Sequence, residues 1–182
     1  MALSATIFKI QLSITDTDRD YYAEHSLTIA RHPSETDERM VVRILAFIAH
    51  AHERLQFTRG LSADDEPDLW QKNFSEEIEL WVEVGQPDEK RVRKACSRAE
   101  QVMVYLYGGR SADLWWQQNA DKLERFSHLG VINLPKTATD ELAALVERSM
   151  QWQCTVQDRQ LWITAGDHSV EVSPLVLREP TP

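Results

Sequence analysis

Two acidic side chains stand where chemistry could be done. Asp68 closes a Pro67-Asp68 pair, and after fourteen intervening residues Glu83 lies near the end of an alternating run that stops at Gly85. Carboxylates brought together at strand ends can hold a hard divalent cation such as Mg²⁺, which takes carboxylate and phosphate oxygens and keeps several waters. Such an ion polarises a phosphoryl oxygen and supplies hydroxide near neutral pH. A lysine beside it would orient the water or stabilise charge at phosphorus. Just downstream, Lys90 and Lys94 lie one turn apart, with Arg91 and Arg98 three before and four after Lys94. Trp81 shares a strand face with Glu83 and could stack on a base. Asp65 and Glu66 compete with Asp68 as the first carboxylate, and Glu35 opens a helix in the same neighbourhood.

The chain has 182 residues and a formal net charge of −9, which argues against a non-specific nucleic-acid coat. A local basic surface survives that total: Glu89 to Arg98 reads EKRVRKACSR, five basic side chains in ten residues. Cys96 and Cys154 are far apart and outside any CxxC spacing, so neither a disulfide framework nor a zinc knuckle is indicated. No apolar run has the length of a membrane span, and Met1 to Thr6 lacks the charged-then-apolar pattern of a secretory signal. A reduced, cytoplasmic protein without a membrane partner is expected, a monomer or weak oligomer. His50 and His52 are two apart on a predicted helix and point about 200° apart, so they cannot share a metal. No P-loop, dinucleotide fingerprint, GxSxG elbow or HExxH is present.

The elements that must position these groups follow from periodicity. Thr6, Phe8, Ile10, Leu12 and Ile14 alternate as a half-buried strand; Asp16 to Asp20 turns; Tyr21 to Ile29 returns. Ser34 and Asp37 resemble a capping box before a helix over Glu35–His52, in which Met40, Val41, Ile44, Leu45 and Ile48 recur at helical spacing. A short strand at Leu55–Thr58 and an acidic loop ending at Asp68 precede the strand Ile78–Val84. Pro87 suits the first position of the next helix, which buries Val92, Ala95, Cys96 and Ala99. Gln101–Tyr107 is apolar on both faces, as a central strand is. Helices over Ser111–Phe126 and Thr137–Met150 flank a strand at Val131–Leu134. Short antiparallel strands at Trp152–Val156, Leu161–Thr164 and Val170–Val172 finish the chain. The class is α/β or α+β, a single domain over residues 1–182 with a compact mixed sheet flanked by helices.

This order of elements resembles the core of the PD-(D/E)xK nuclease-like superfamily, with the amino-terminal hairpin and the carboxy-terminal strands added to it. The whole chain resembles the YaeQ family, on RHPSET at Arg31–Thr36, RLQFTRGL at Arg54–Leu61, ADDEP at Ala63–Pro67, LWVEVGQPDE at Leu80–Glu89 and WWQQN at Trp115–Asn119. The resemblance implies a variant site with Pro67-Asp68 as the PD and Glu83 as the acidic strand residue. The lysine of the motif is missing, since Gly85 stands two residues after Glu83 and neutral Gln86 follows. Superfamily members can recruit the lysine from the next helix, which assigns Lys94 here, with Lys90 second. The implied catalytic set is therefore Asp68, Glu83, Lys94, Gln86 and Glu35. Mg²⁺ would sit on Asp68 (or Asp65) and Glu83, and Lys90, Arg91, Arg98 and Trp81 would hold the substrate.

Three functional classes remain open: a Mg²⁺-dependent nuclease, a nuclease-like scaffold that binds nucleic acid without cutting it, and a protein-interaction module linked to the transcription or translation machinery.

Overall fold

The computed structural model describes residues 4–182; Met1–Leu3, part of the segment read above for a secretory signal, lie outside the described residues. Alternation sets the first two strands. β1 (Thr6–Asp16) buries Phe8, Ile10, Leu12 and Ile14, and β2 (Tyr21–Arg31) returns antiparallel with Thr6 opposite Arg31 and Asp16 opposite Tyr21. Asp16 holds the turn by accepting the N–H groups of Asp18 and Arg19.

α1 (Asp37–Ala49) starts two residues later than the sequence suggests. Thr36 is its cap, the hydroxyl accepting the Arg39 N–H at 3.1 Å. Ser34 instead lies 2.7 Å from His32, which makes His32 a helix-entry contact. Every residue from Met40 to Ile48 is buried. A helix covered on all sides must be enclosed rather than laid on a surface, and α1 is enclosed by two sheets.

The expected single mixed sheet is in fact two. β1 pairs in parallel with β8 (Ser149–Gln157), Lys9 opposite Ser149, and so joins the amino-terminal hairpin to the strands of the tail. With β9 (Gln160–Ala165) and β10 (His168–Val172) this gives a five-stranded sheet in the order β10-β9-β8-β1-β2. The other sheet runs β11-β7-β6-β5-β4-β3. Its strands are β3 (Leu55–Phe57), β4 (Leu69–Lys72), β5 (Ile78–Val84), β6 (Ala99–Leu106), β7 (Leu129–Asn133) and β11 (Leu175–Arg178). The pairing with β1 also draws Ser149 and Met150 into β8, so α4 (Lys136–Ala143) ends well before Met150.

β5, β6 and β7 are parallel, joined by α2 (Glu89–Arg98) and α3 (Arg110–Leu123). Period-2 alternation then divides the core. Leu80, Val82, Val84, Met103 and Tyr105 face α1 and the second sheet, whereas Trp81, Val102, Val104 and Leu106 face α2 and α3. Cys96 and Cys154 are free and buried, and burial pushes their thiols up to about 11 and about 12. Among the described residues no helix is long and apolar enough to cross a membrane.

One titratable side chain in this core carries a pH dependence. His50 caps the carboxyl end of α1 and lies 2.7 Å from the Tyr105 hydroxyl. Burial, reinforced by the Arg19 charge, lowers its pKa from 6.5 to about 4. The unfolded chain therefore binds the extra proton first, so the contribution present above pH 6.5 is lost as pH falls toward 4. Stability to urea should fall over that interval, His50 accounting for up to about 3 kcal/mol. In His50→Gln, which can keep a bond to Tyr105, the fall should be smaller by a comparable amount.

Candidate functional site

Glycine ends two neighbouring parallel strands. Gly85 after β5 and Gly108 after β6 both take φ of +100°, a left-handed geometry that other residues adopt only with strain. A Cβ at Gly108 would also lie 2.9 Å from the Ser111 hydroxyl. The chain thus turns sharply off both strand ends and leaves a cleft of about 560 Å³ between them. Asp68, Glu83, Gln86, Arg39, Arg91 and Ser111 are among the residues lining it. A crevice outside the carboxyl ends of parallel strands is the usual location of a ligand site in such sheets.

Asp68 is 2% exposed. One of its oxygens accepts the Val84 N–H at 2.8 Å, and the other accepts Arg39 Nη2, also at 2.8 Å. Glu83 is 3% exposed, with one oxygen 2.8 Å from Trp81 Nε1 and the other 2.9 Å from Arg91 Nε. Burial raises the Glu83 carboxyl above the ordinary range; the Arg91 hydrogen bond pulls it down, and the Asp68 charge pushes it up again. Arg39 and Arg91 are held more firmly protonated than usual. Burial works against their charge, but Asp68 and Glu35 outweigh it at Arg39, and Glu83 outweighs it at Arg91.

Each arginine is fixed by more than its acid. Arg91 also donates to the backbone carbonyls of Asp64 and Glu66, and Arg39 to Val84 O and Glu35. Glu35 lies behind the cleft rather than in it. Its two oxygens hold Arg43 at 2.8 and 2.7 Å, and one of them also takes Arg39 at 3.0 Å. The result is a chain of buried charge from Arg43 through Glu35 and Arg39 to Asp68.

The structure therefore brings Asp68, Glu83 and Gln86 to one cleft, with Glu35 joined to it through Arg39. Gln86 donates from its amide to Ser111 Oγ at 2.8 Å and to the Tyr107 carbonyl at 3.3 Å. Lys94 is elsewhere. Asp88 caps α2, and Val92, Ala95 and Cys96 turn inward, so Lys94 projects from the opposite side and is exposed. The cation beside Glu83 is Arg91, in the first turn of α2. Lys90 is exposed as well. Asp65 is exposed and contributes only its carbonyl, to Arg98, while Glu66 pairs with Arg59. Trp81 is 2% exposed, with the Arg98 guanidinium over its ring at 5.3 Å and Trp70 against its edge, so no base can stack on it.

Mg²⁺ on Asp68 and Glu83 would need carboxylate oxygens facing it without a competing cation. Here both acids already have a guanidinium within 2.9 Å, and the third acid, Glu35, is turned to Arg43. Among the described residues no group of three His, Cys, Asp or Glu side chains is arranged to hold a metal. As folded, the donor set suits two arginines and does not fit a Mg²⁺ centre. The sequence reading missed Arg39 and Arg43. The signal was two arginines four apart inside an otherwise apolar helix, with Glu35 four before the first.

Removing one member of a buried charge pair leaves the other uncompensated. Glu35→Ala should therefore destabilise the protein by about 3–5 kcal/mol in urea unfolding. Lys94→Met, which removes no side-chain hydrogen bond or ion pair among the described residues, should stay within about 0.5 kcal/mol of the parent chain.

Comparison with known proteins agrees with the family resemblance. The family model described as YaeQ protein matches residues 1–174. A protein of Escherichia coli (strain K12) described as uncharacterized protein YaeQ is 45% identical over 181 residues, covering all of both chains. Its counterpart in Salmonella typhi is 44% identical, also over the full length of both. The crystal structure of the YaeQ protein from Xanthomonas axonopodis pv. citri superposes with a TM-score of 0.94 at 47% identity, covering 97% of this chain and 100% of that one. That of the Pseudomonas syringae YaeQ protein gives 0.93 at 34%, covering 96% and 97%. A full-length sequence match and the same fold together place the chain in the YaeQ family.

Proposed function

We propose that the cleft binds the sugar-phosphate backbone of a nucleic acid without hydrolysing it. Arg39 and Arg91 take one phosphate, and the outer side of α2 takes its neighbours. The observation that carries this reading is the pair of guanidiniums fixed on one cleft by buried carboxylates and backbone carbonyls. Of the five N–H donors on each guanidinium, three are used within the protein, so two remain on each for a phosphate. α3 opens beside them at Gly109 with no side-chain cap, and helix amides so placed favour an anion. Arg91, Lys94 and Arg98 lie within about 60° of one another on α2, by 100° per residue. A backbone leaving the cleft along that side would meet them in turn. In this reading Lys94 and Lys90 are phosphate contacts and not catalytic groups.

Metal-dependent hydrolysis is the second reading. It is favoured by Glu83 and Asp68 lining one cleft, with the Asp68 charge raising the Glu83 carboxyl. It requires both arginines to leave their carboxylates for a metal to enter.

Fluorescence anisotropy on labelled single- and double-stranded RNA and DNA tests the proposal. Binding should weaken steeply with salt. Lys94→Met should reduce the slope of log K against log [salt] by about 0.7–0.9 for one lost phosphate contact. Substrates incubated with Mg²⁺ should remain intact. Cleavage abolished by Glu83→Gln would establish the second reading instead, and absence of salt-dependent binding to any of the four substrates would leave a protein partner as the ligand of the acidic surface.

A further inference from the structure

A second cavity of about 340 Å³ lies on the other side of β5 and β6, between the two sheets at the carboxyl end of α1. None of the residues lining it lines the cleft. Its walls are apolar, with Leu45 from α1, Met103 from β6, Ile132 from β7, Leu161 from β9 and Val176 from β11. That volume falls at the lower end of the range for small-molecule sites, which are apolar cavities with a few convergent polar groups.

Of its polar lining, Arg159 and Glu179 are paired with each other, Arg178 donates to three backbone carbonyls and Gln101 to Met103 Sδ, while three donor groups converge on the cavity. His50 and Tyr105 form a pair at 2.7 Å, and Arg19 stands at the rim. Asn133 Oδ1 is the one fully buried side-chain atom left unpaired among the described residues. His50 Nδ1, for which there is no protein partner among the described residues, is therefore not sealed in, and His50 is one of the residues lining the cavity. The pair always leaves one hydrogen over. If Nε2 carries the proton it donates to the Tyr105 oxygen, and the phenolic hydrogen is free. If Nδ1 carries it, the phenol donates to Nε2 and Nδ1–H is free.

The rim is unbalanced in the same sense. Both oxygens of Asp16 are taken by the Asp18 and Arg19 N–H groups and by Arg19 Nε. The Asp18 carboxylate accepts the N–H groups of Asp158 and Arg159. Arg19 donates only from Nε to Asp16 and from Nη1 to the Ala51 carbonyl, and its side chain is 38% exposed. It keeps three of its five N–H donors. Its charge also acts on both His50 and Tyr105.

We propose that this cavity binds an apolar monocarboxylate. The chain or ring would lie among Leu45, Met103, Ile132 and Val176, and the carboxylate would accept from Arg19 and from the free hydrogen of the His50–Tyr105 pair. An ammonium head would meet the Arg19 charge unfavourably, and a wholly apolar molecule would leave those donors unpaired.

Decanoate and decyltrimethylammonium, chains of equal length and opposite charge, are the probes for isothermal titration against the full-length protein. Decanoate should bind one to one with Kd on the order of 10–100 μM, and the cation at least about tenfold more weakly. Val176→Trp, on the edge strand β11, should fill the cavity and abolish decanoate binding. Arg19→Gln should weaken it about tenfold or more while strengthening binding of the cation, whose repulsion it removes. Circular dichroism and the melting transition establish that each variant folds; should Val176→Trp fail to fold, Arg19→Gln decides. No saturable binding of decanoate up to about 1 mM, equal binding of anion and cation, or unchanged decanoate affinity in folded Val176→Trp or Arg19→Gln would overturn the proposal.

Discussion

The placement of two arginines on a helix that has no surface is the constraint from which the rest follows. α1 is buried over nine consecutive residues between two sheets, yet Arg43 sits in the middle of that stretch and Arg39 just before it. A guanidinium cannot lose its proton to escape burial, so each must be met by a carboxylate brought to it. Glu35 meets both, from the turn that opens the helix. Asp68 meets Arg39 a second time from the strand side, and its other oxygen caps the Val84 N–H at the end of β5. The same four charged groups that let α1 lie inside the protein therefore tie its amino end to the strand end where the cleft opens. Buried ion pairs contribute little net stability over apolar packing, and their best-attested value is to fix one arrangement among several. Here the arrangement fixed is the register of α1 against β4 and β5.

Much of the fold was legible because most elements are long enough to show a period. The hairpin alternates over eleven residues a strand, and β5 and β6 alternate or are apolar on both faces in the manner of central parallel strands. β4 and β11 have four residues each, too few for a period of their own, and are held as strands by pairing with β5 and β7. The end of α4 was misplaced because its apolar spacing runs on past Ala143, while the parallel partner that claims Ser149 and Met150 is β1, some 140 residues away in sequence. No local reading contains that partner. The division into two sheets has the same non-local origin.

The acids that line the candidate cleft could be read from the sequence, and the cation that stands beside Glu83 could not. Pro67-Asp68 and Glu83 are strand-end carboxylates, and the strand geometry that carries them follows from alternation alone. Which basic residue of α2 faces Glu83 depends on where the helix starts. Pro87 suggests a start at the proline, but Asp88 provides the cap, and Arg91 falls in the first turn with its amide bonded to that cap at 2.7 Å. Its side chain then reaches back over the strand end, and Lys94, three residues on, is carried around to the solvent side. Arginine also differs from lysine in kind at that position. Its planar fork engages Glu83 and two carbonyls at once, which a single ammonium on a flexible stem could match only loosely.

α1 also explains why the chemistry of the protein gathers at two separate places. Arg39 and His50 are eleven residues apart, roughly 16 Å along a helix at about 1.5 Å per residue. At the amino end the helix meets carboxylates paired with guanidiniums, and the cleft there is a lattice of such pairs. At the carboxyl end the helix dipole would favour a protonated histidine, but burial and the nearby Arg19 outweigh it, and His50 is held neutral. A neutral imidazole beside a phenol can sit in an apolar cavity where a charged one could not. The same rigid, enclosed element thus ends in a polar cleft on one side of the β5–β6 strand pair and an apolar chamber on the other. What separates the two is how each end of α1 satisfies its charge.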